Sequence, residues 1–370
     1  MNQDFVLRHV RFPDDRIADL KIQNGRIDSL HDPGTASGGD TLDCEGLYVS
    51  SGWIDMHVHA FPEFEPYGDS VDAIGVNCGC TTIVDAGSCG ADRIGELAAS
   101  RASSLTRLFA FLNVSRIGLQ RTDELSQLEW VDREAVFRAI REHSDFIVGL
   151  KARISSSVVR GNGIEPLRLA VGLSEETGLP IMTHIGSAPP AIEDVIPLLR
   201  KGDIVTHYLN GKANNLFDHD GSPLPVLTDA TKRGVKLDVG HGTASFSFRT
   251  ADQARSAGIA FDTISTDIYR GNRLNGPVYG MANVLTKFLT LGYTLAEVIG
   301  AVTSRPAAWL KRPELGRIQV GDPANLTLFS IKNTPSVLTD SEGFTRTSTQ
   351  TIQAEGVVIH GKYLACQIRA

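Results

Sequence analysis

The stretch Gly52-Trp53-Ile54-Asp55-Met56-His57-Val58-His59 decides how this chain is read. It is an apolar run that ends in two histidines one residue apart. In a strand, successive side chains alternate between faces, so His57 and His59 point the same way near the strand's carboxyl end. Two imidazoles aimed at one spot suit a pair of ligands on one metal ion. A lone His-x-His recurs by chance. This one gains weight from four more candidate ligands further along the chain, each closing a strand-like segment.

The middle of the chain alternates strand and helix. Apolar strand candidates are Trp53–His59, Thr81–Ala86, Leu108–Val114, Phe146–Lys151, Ile181–His184, Ile204–His207, Val235–Val239 and Thr263–Asp267. Stretches of helical period lie between them, such as Arg133–His143, Pro166–Thr177 and Ile192–Arg200, the last with a break expected at Pro197. Further helices are expected over Asn275–Leu291 and Leu295–Trp309. This alternation predicts an α/β protein, a (β/α)8 TIM barrel over 51–314. Both ends read instead as short strands with polar turns, and Asn24-Gly25 signals a tight hairpin. Residues 1–50 and 315–370 are therefore expected to meet in one small flanking β-sandwich domain.

Bulk properties narrow the function classes. The chain has 370 residues, 42% apolar and 21% charged, with a net charge of −7. That balance argues against nucleic acid or an anionic membrane as partner and leaves a small-molecule substrate. The five cysteines form no disulfide framework and are expected as thiols of a reducing compartment. Met1–Val10 lacks the pattern of a signal peptide, and no run approaches the ~20 apolar residues that span a bilayer. The expectation is a soluble, cytoplasmic protein.

Functional side chains of such barrels project from the carboxyl ends of the strands. His57 and His59 end strand one, Lys151 strand four, His184 strand five, His207 strand six and Asp267 strand eight. Lys151 has two readings. It is a lysine snorkelling to solvent, or an amine whose pKa is depressed beside cations, so that it reacts with carbon dioxide to give a bridging carbamate. The company of four histidines and an aspartate favours the carbamate. Asp267 caps a turn, or it binds metal and also moves protons. His241 follows strand seven and either contacts substrate or is structural. His9, His31, His143, His219 and His360 lie outside the pattern.

This set of residues resembles the amidohydrolase superfamily of metal-dependent hydrolases. The entry Tyr48–His59 and the return Leu315-Gly316-Arg317-Ile318-Gln319-Val320-Gly321-Asp322-Pro323-Ala324-Asn325-Leu326 carry the likeness over nearly the whole chain. Within it, Gly149-Leu150-Lys151-Ala152-Arg153, Asn162-Gly163-Ile164, His184-Ile185-Gly186-Ser187-Ala188-Pro189-Pro190 and Ser265-Thr266-Asp267-Ile268-Tyr269 are similar to a dihydroorotase-like or adenine-deaminase-like subgroup of deacetylases. These include acetyl-mandelate-type esterases. The resemblance implies two zinc ions, other divalent metals being alternatives. His57, His59 and Asp267 would hold one, His184 and His207 the other, with N6-carboxylysine at Lys151 between them.

That resemblance implies an enzyme that hydrolyses an ester or amide bond. The expected substrate is an acetylated small carboxylic acid, either an O-acetyl hydroxy acid or an N-acetyl amino acid. A hydroxide bridging the ions would attack, and Asp267 would relay its proton. Arg153, Arg270 and Arg273 compete to hold the substrate carboxylate. The polar, glycine-rich stretch 155–163 is expected to fold over the site. The alternatives are a cyclic-amide hydrolase of dihydroorotase or hydantoinase type, and a non-catalytic scaffold barrel. A homo-oligomer is the expected assembly.

Overall fold

The computed structural model describes residues 4–367; residues 1–3 and 368–370, which belong to the expected start and end of the flanking domain, lie outside them. Seven parallel strands run in sequence order around one sheet: Trp53–Val58, Cys80–Ala86, Arg107–Asn113, Ile147–Ile154, Ile181–Ile185, Ile204–Thr206 and Lys236–Asp238. Residues 263–268 close the ring. Thr263 bridges Asp238 on one side and Ile268 bridges Val58 on the other, both in parallel sense. The bonds Val239 N–H to Thr263 O (3.1 Å) and His59 N–H to Ile268 O (2.9 Å) complete the two seams. The chain thus folds as a (β/α)8 barrel, with its strand ends on one rim.

The eighth segment is irregular for a physical reason. Asp267 sits at φ 50°, in the left-handed region that side chains with a Cβ seldom adopt, as does His207 at φ 69° after the sixth strand. Backbone of this kind is held by its surroundings and concentrates at functional sites. Here the Asp267 N–H is fixed on His57 O at 2.7 Å.

The outer helices follow local signals. Arg133–Glu142 starts at Asp132, whose carboxylate accepts the Ala135 N–H at 3.0 Å. Glu165–Thr177 carries Pro166 in its first turn and ends on Gly178 at φ 70°. Helix Ile192–Val195 gives way to the 3-10 turn Ile196–Leu198 at Pro197, as its ring requires. Two expected helices are divided. Residues 275–291 hold the end of Arg270–Asn275 and then Met281–Thr290, separated by Gly276-Pro277. Residues 295–309 hold Leu295–Gly300 and Ser304–Trp309, the second begun with Pro306 in its first turn. Proline, which has no backbone N–H to give a preceding turn, lies beside both breaks.

Both ends of the chain share one eight-stranded sheet. Phe5–Arg11 lies between Ile17–Gln23 on one side and Asp40–Asp43 and Tyr48–Ser51 on the other. Tyr48–Ser51 then pairs with Leu326–Lys332, which pairs with Thr351–Ile359. Asn24 and Gly25 are both at positive φ, the two-residue hairpin turn that their sequence predicts. The sheet buries Phe5, Leu7, Leu20, Ile22, Leu326 and Leu328 in a core of its own. Trp53 ties it to the barrel: the indole is buried, packs on Phe329 and donates to Ser50 Oγ at 3.1 Å. A second hairpin, Ser336–Thr339 with Thr345–Ser348, carries its turn to the barrel rim, where Ser341 Oγ donates to Gly242 O at 3.0 Å. Among the described residues no helix is long and apolar enough to cross a membrane.

Candidate metal centre

Four imidazoles meet at the rim. The rings of His57 and His207 are 5.0 Å apart, those of His184 and His207 4.4 Å, and those of His57 and His59 5.7 Å. Asp267 reaches in from the closing segment, with Oδ1 at 3.1 Å from His59 Nε2 and 3.4 Å from His57 Nε2. Ligand atoms of His57, His207 and Asp267 all lie within 4.8 Å of one another. Lys151 Nζ stands 3.3 Å from His57 Nε2 in the same cavity. The six residues singled out from the sequence are therefore neighbours.

Hydrogen bonds settle which ring nitrogen faces inward. Thr206 gives its hydroxyl proton to Asp238 Oδ2 at 2.7 Å, so its oxygen accepts from His57 Nδ1 at 2.9 Å. His207 Nδ1 lies 2.6 Å from the Gly240 carbonyl, which only accepts. His59 Nδ1 contacts Ser88 Oγ at 2.9 Å. With Nδ1 protonated in His57 and His207, their Nε2 lone pairs point into the cavity. His207 Nε2 is buried with no protein partner. An orphaned, buried lone pair beside a carboxylate fits a cation, and outward Nδ1 bonds are how ligating histidines are held.

Burial sets the protonation. It pushes His57, His184 and His207 well below the usual imidazole range, so each is a neutral donor. Burial opposes charge on Asp267 as well, but the His57 and His59 rings outweigh it and hold the carboxyl well below its ordinary range. Burial brings Lys151 down to about 7. That amine is fully buried, and Met182 Sδ at 3.3 Å is its other contact. A buried cation without a carboxylate partner is costly, whereas a neutral amine there is open to carboxylation. The donor set of His57, His207 and Asp267 fits a cation on its own chemistry, with the buried amine beside it.

Beneath the rim, buried carboxylates brace the strands. Asp238 accepts hydroxyls from Thr206, Thr263 and Ser265. Asp55 accepts the Thr266 hydroxyl at 2.5 Å, and burial lifts its pKa to about 7. Sequence reasoning passes over both, although each sits in a strand two or three residues before a histidine.

The candidate substrate residues fare differently. Arg153 Nη1 pairs with buried Glu124 at 3.2 Å, and its guanidinium lies over the Tyr67 ring at 5.9 Å. Tyr67 in turn meets the Tyr269 ring at 5.1 Å and the His59 ring at 6.0 Å, so Arg153 borders the mouth. Arg273 is committed elsewhere: Nε and Nη2 grip Asp69 at 2.6 and 3.0 Å. Arg270 is exposed at the start of its helix, and its backbone N–H bonds Gly68 O. His241 is turned inward, fully buried, with Nδ1 on Gly242 O and Nε2 on Lys287 Nζ. Both of its nitrogens are engaged by protein, which leaves none for substrate. Stretch 155–163, expected as a cover, forms helix Ser156–Val159 and a 3-10 turn; Val158 and Val159 are buried, and the Ser156 N–H bonds Ser187 O. Its apolar pair drives it onto the barrel. Lys212 and Tyr67 at the mouth are not singled out by the sequence, where nothing but position marks them.

The family model for the amidohydrolase family matches residues 48–362. The chain belongs to the amidohydrolase family. An Enterococcus faecalis protein named a deacetylase is 38% identical over 365 residues, covering 98% of this chain and 99% of its own. A deacetylase of Agrobacterium fabrum is 34% identical over 306 residues, covering 82% and 75%. Among solved structures, one described as an adenine deaminase superposes with a TM-score of 0.93 at 38% identity, covering 98% of this amidohydrolase and 99% of its own chain. One described as a dihydroorotase gives 0.90 at 29%, covering 98% of each.

Proposed function

We propose that this amidohydrolase is a binuclear zinc enzyme that removes the acetyl group from an acetylated small carboxylic acid, an O-acetyl hydroxy acid or an N-acetyl amino acid. The observation that carries the reading is the convergence of the His57 and His59 Nε2 atoms on Asp267, with His207 in the same ligand group and the Lys151 amine beside them. The names of the two deacetylase relatives support the acetyl group.

His57, His59 and Asp267 would hold one ion, and His184 and His207 the other, with Lys151 carboxylated on Nζ between them. When bound, the ions supply acidified water and polarise a carbonyl. The chain's own groups do the rest. Asp267, a carboxylate across the working pH range, takes the proton of the attacking water and hands it to the leaving oxygen or nitrogen. Arg153 keeps Nε and Nη2 free of protein acceptors among the described residues, and they orient the substrate carboxylate. Tyr67 and Tyr269, edge to face, wall the mouth and keep bulk water out.

A cyclic-amide hydrolase is the second reading, favoured by the likeness to a structure described as a dihydroorotase. Zinc-replete enzyme assayed side by side on acetyl esters of hydroxy acids, N-acetyl amino acids, cyclic imides and adenine separates the readings. Acetate release from an acetylated acid should exceed the other rates. Faster ring opening or faster ammonia release overturns the deacetylase reading.

A further inference from the structure

Helix Met281–Thr290 buries Val284, Leu285 and Phe288 against the barrel, and it buries Lys287 completely as well. Lysine is among the residues least often found inside a protein. No carboxylate bonds this one. Its Nζ meets two groups, each at 2.8 Å: the Pro277 carbonyl and His241 Nε2. The nearest acidic group with an influence is Asp340, whose oxygens are taken by the backbone N–H groups of Phe248, Glu342 and Phe344.

The bond to His241 has a fixed sense. His241 Nδ1 lies 2.9 Å from the Gly242 carbonyl and must donate to it, so Nε2 accepts from Lys287. The ring is also stacked on Phe246, with centroids 4.5 Å apart. His241 is therefore locked from three sides, and with it the loop 240–242.

That loop touches the metal centre on both flanks of His241. The Gly240 carbonyl is the acceptor that sets the His207 tautomer. Gly242 packs on Asp267 so closely that a Cβ there would fall 2.4 Å from Oδ2, and one on Gly240 would fall 2.7 Å from His207 Nδ1. Both glycines lie at positive φ, 50° and 55°, so the loop's path depends on what holds it. The loop's own N–H groups are held by the closing segment, Gly240 on Ser265 Oγ at 3.0 Å, His241 on Ser265 O at 3.1 Å and Gly242 on Thr266 O at 2.9 Å, and Ser341 Oγ donates to Gly242 O at 3.0 Å; the His241 ring itself is fixed by Lys287.

We infer that Lys287 is a positioning residue for the metal centre, acting through His241 to fix loop 240–242 and thereby the setting of His207 and Asp267. This rests on the binuclear reading above. Partners one step removed from a ligand cost about 10–100-fold in metal affinity when lost. Lys287 stands further out, but its Nζ is the buried donor that fixes the His241 ring, and its loss is expected to act in the same direction.

The test measures zinc affinity by competition with a chromophoric chelator, alongside the thermal midpoint of the metal-free protein. Lys287→Met should bind the more weakly held zinc about 10-fold or more less tightly. Lys287→Gln, which keeps a donor, should recover part of the loss. Adding His241→Leu to Lys287→Met should cost nothing further, since the two act as one unit. Val136→Ala, in a buried outer helix away from this loop, should lower the midpoint without changing affinity. Should Lys287→Met not accumulate folded, His241→Leu alone carries the same expectation. Wild-type affinity in Lys287→Met, or a loss no larger than in Val136→Ala, overturns the proposal and leaves the metal centre standing. Failure of the wild type itself to bind zinc overturns both.

Discussion

Asp238 takes the hydroxyl proton of Thr206, and that single bond decides which nitrogen of His57 is free for a cation. Thr206→Val keeps the shape and removes both ends of the relay. His57 Nδ1 then lacks an acceptor and its ring is free to flip. Zinc affinity should fall about 10–100-fold with little change in fold. Equilibrium dialysis against buffered zinc, with the far-ultraviolet spectrum as control, checks it.

Lys151 is buried where only a neutral or modified amine is comfortable. On the binuclear reading, wild type should hold about two zinc ions and Lys151→Ala about one. Activity should be lost, with partial recovery in millimolar short-chain carboxylate, which enters the space left by the side chain. Metal analysis together with that titration would expose an unmodified, non-ligating lysine as full metal content and undiminished rate.

Arg153 borders the mouth, whereas Arg273 is spent on Asp69. Arg153→Met should raise KM for carboxylate substrates well above its effect on neutral esters. Arg273→Met should leave the KM ratio alone and cost about 2–3 kcal/mol of stability, because buried Asp69 loses two charge-assisted bonds. Urea unfolding of each variant, set beside its kinetics on paired charged and neutral substrates, tells them apart. Equal KM effects on both substrate types would remove the anchoring role from Arg153.

A pH dependence sits in the flanking sheet, away from the candidate metal centre. Buried Asp19 accepts the backbone N–H groups of His9 and Ala36, each at 3.0 Å. Burial alone would raise its pKa, but these bonds, with one from Gly34, bring it below the ordinary carboxylate value. A folded pKa below the unfolded one adds stability that is complete above the unfolded value and is lost as pH falls through the folded one. Asp19→Asn should therefore be less stable than wild type at neutral pH, and the gap between the two unfolding midpoints should narrow as pH falls through the depressed folded pKa of Asp19. A constant gap down to acid pH would rule the linkage out.

Much of the barrel is legible in the sequence because its signals are local. Strand periodicity and the order of strand ends locate all six candidate ligands without any knowledge of contacts. The proline breaks are partly legible: Pro197 announces one, while Pro277 and Pro306 are masked inside longer apolar patterns. What the sequence hides is pairing at long range. Nothing near Arg273 announces Asp69, and nothing near Arg153 announces Glu124. His241 looks available because its own segment is polar; its partner Lys287 lies in a helix that reads as core. A charged residue inside an apolar helical stripe is the one usable signal, and it points to a buried bond only once the facing element is known.

The sharing of one sheet by both ends has a consequence for synthesis. Tyr48–Ser51 leaves the ribosome early, yet its neighbour Leu326–Lys332 comes only after the entire barrel has been made. Until then its exposed edge and the apolar face behind it lack a lid, a state that invites association with other nascent chains. Completion of this protein is thus a late, all-at-once event, and shortening the carboxyl end should be felt first by strands made at the beginning.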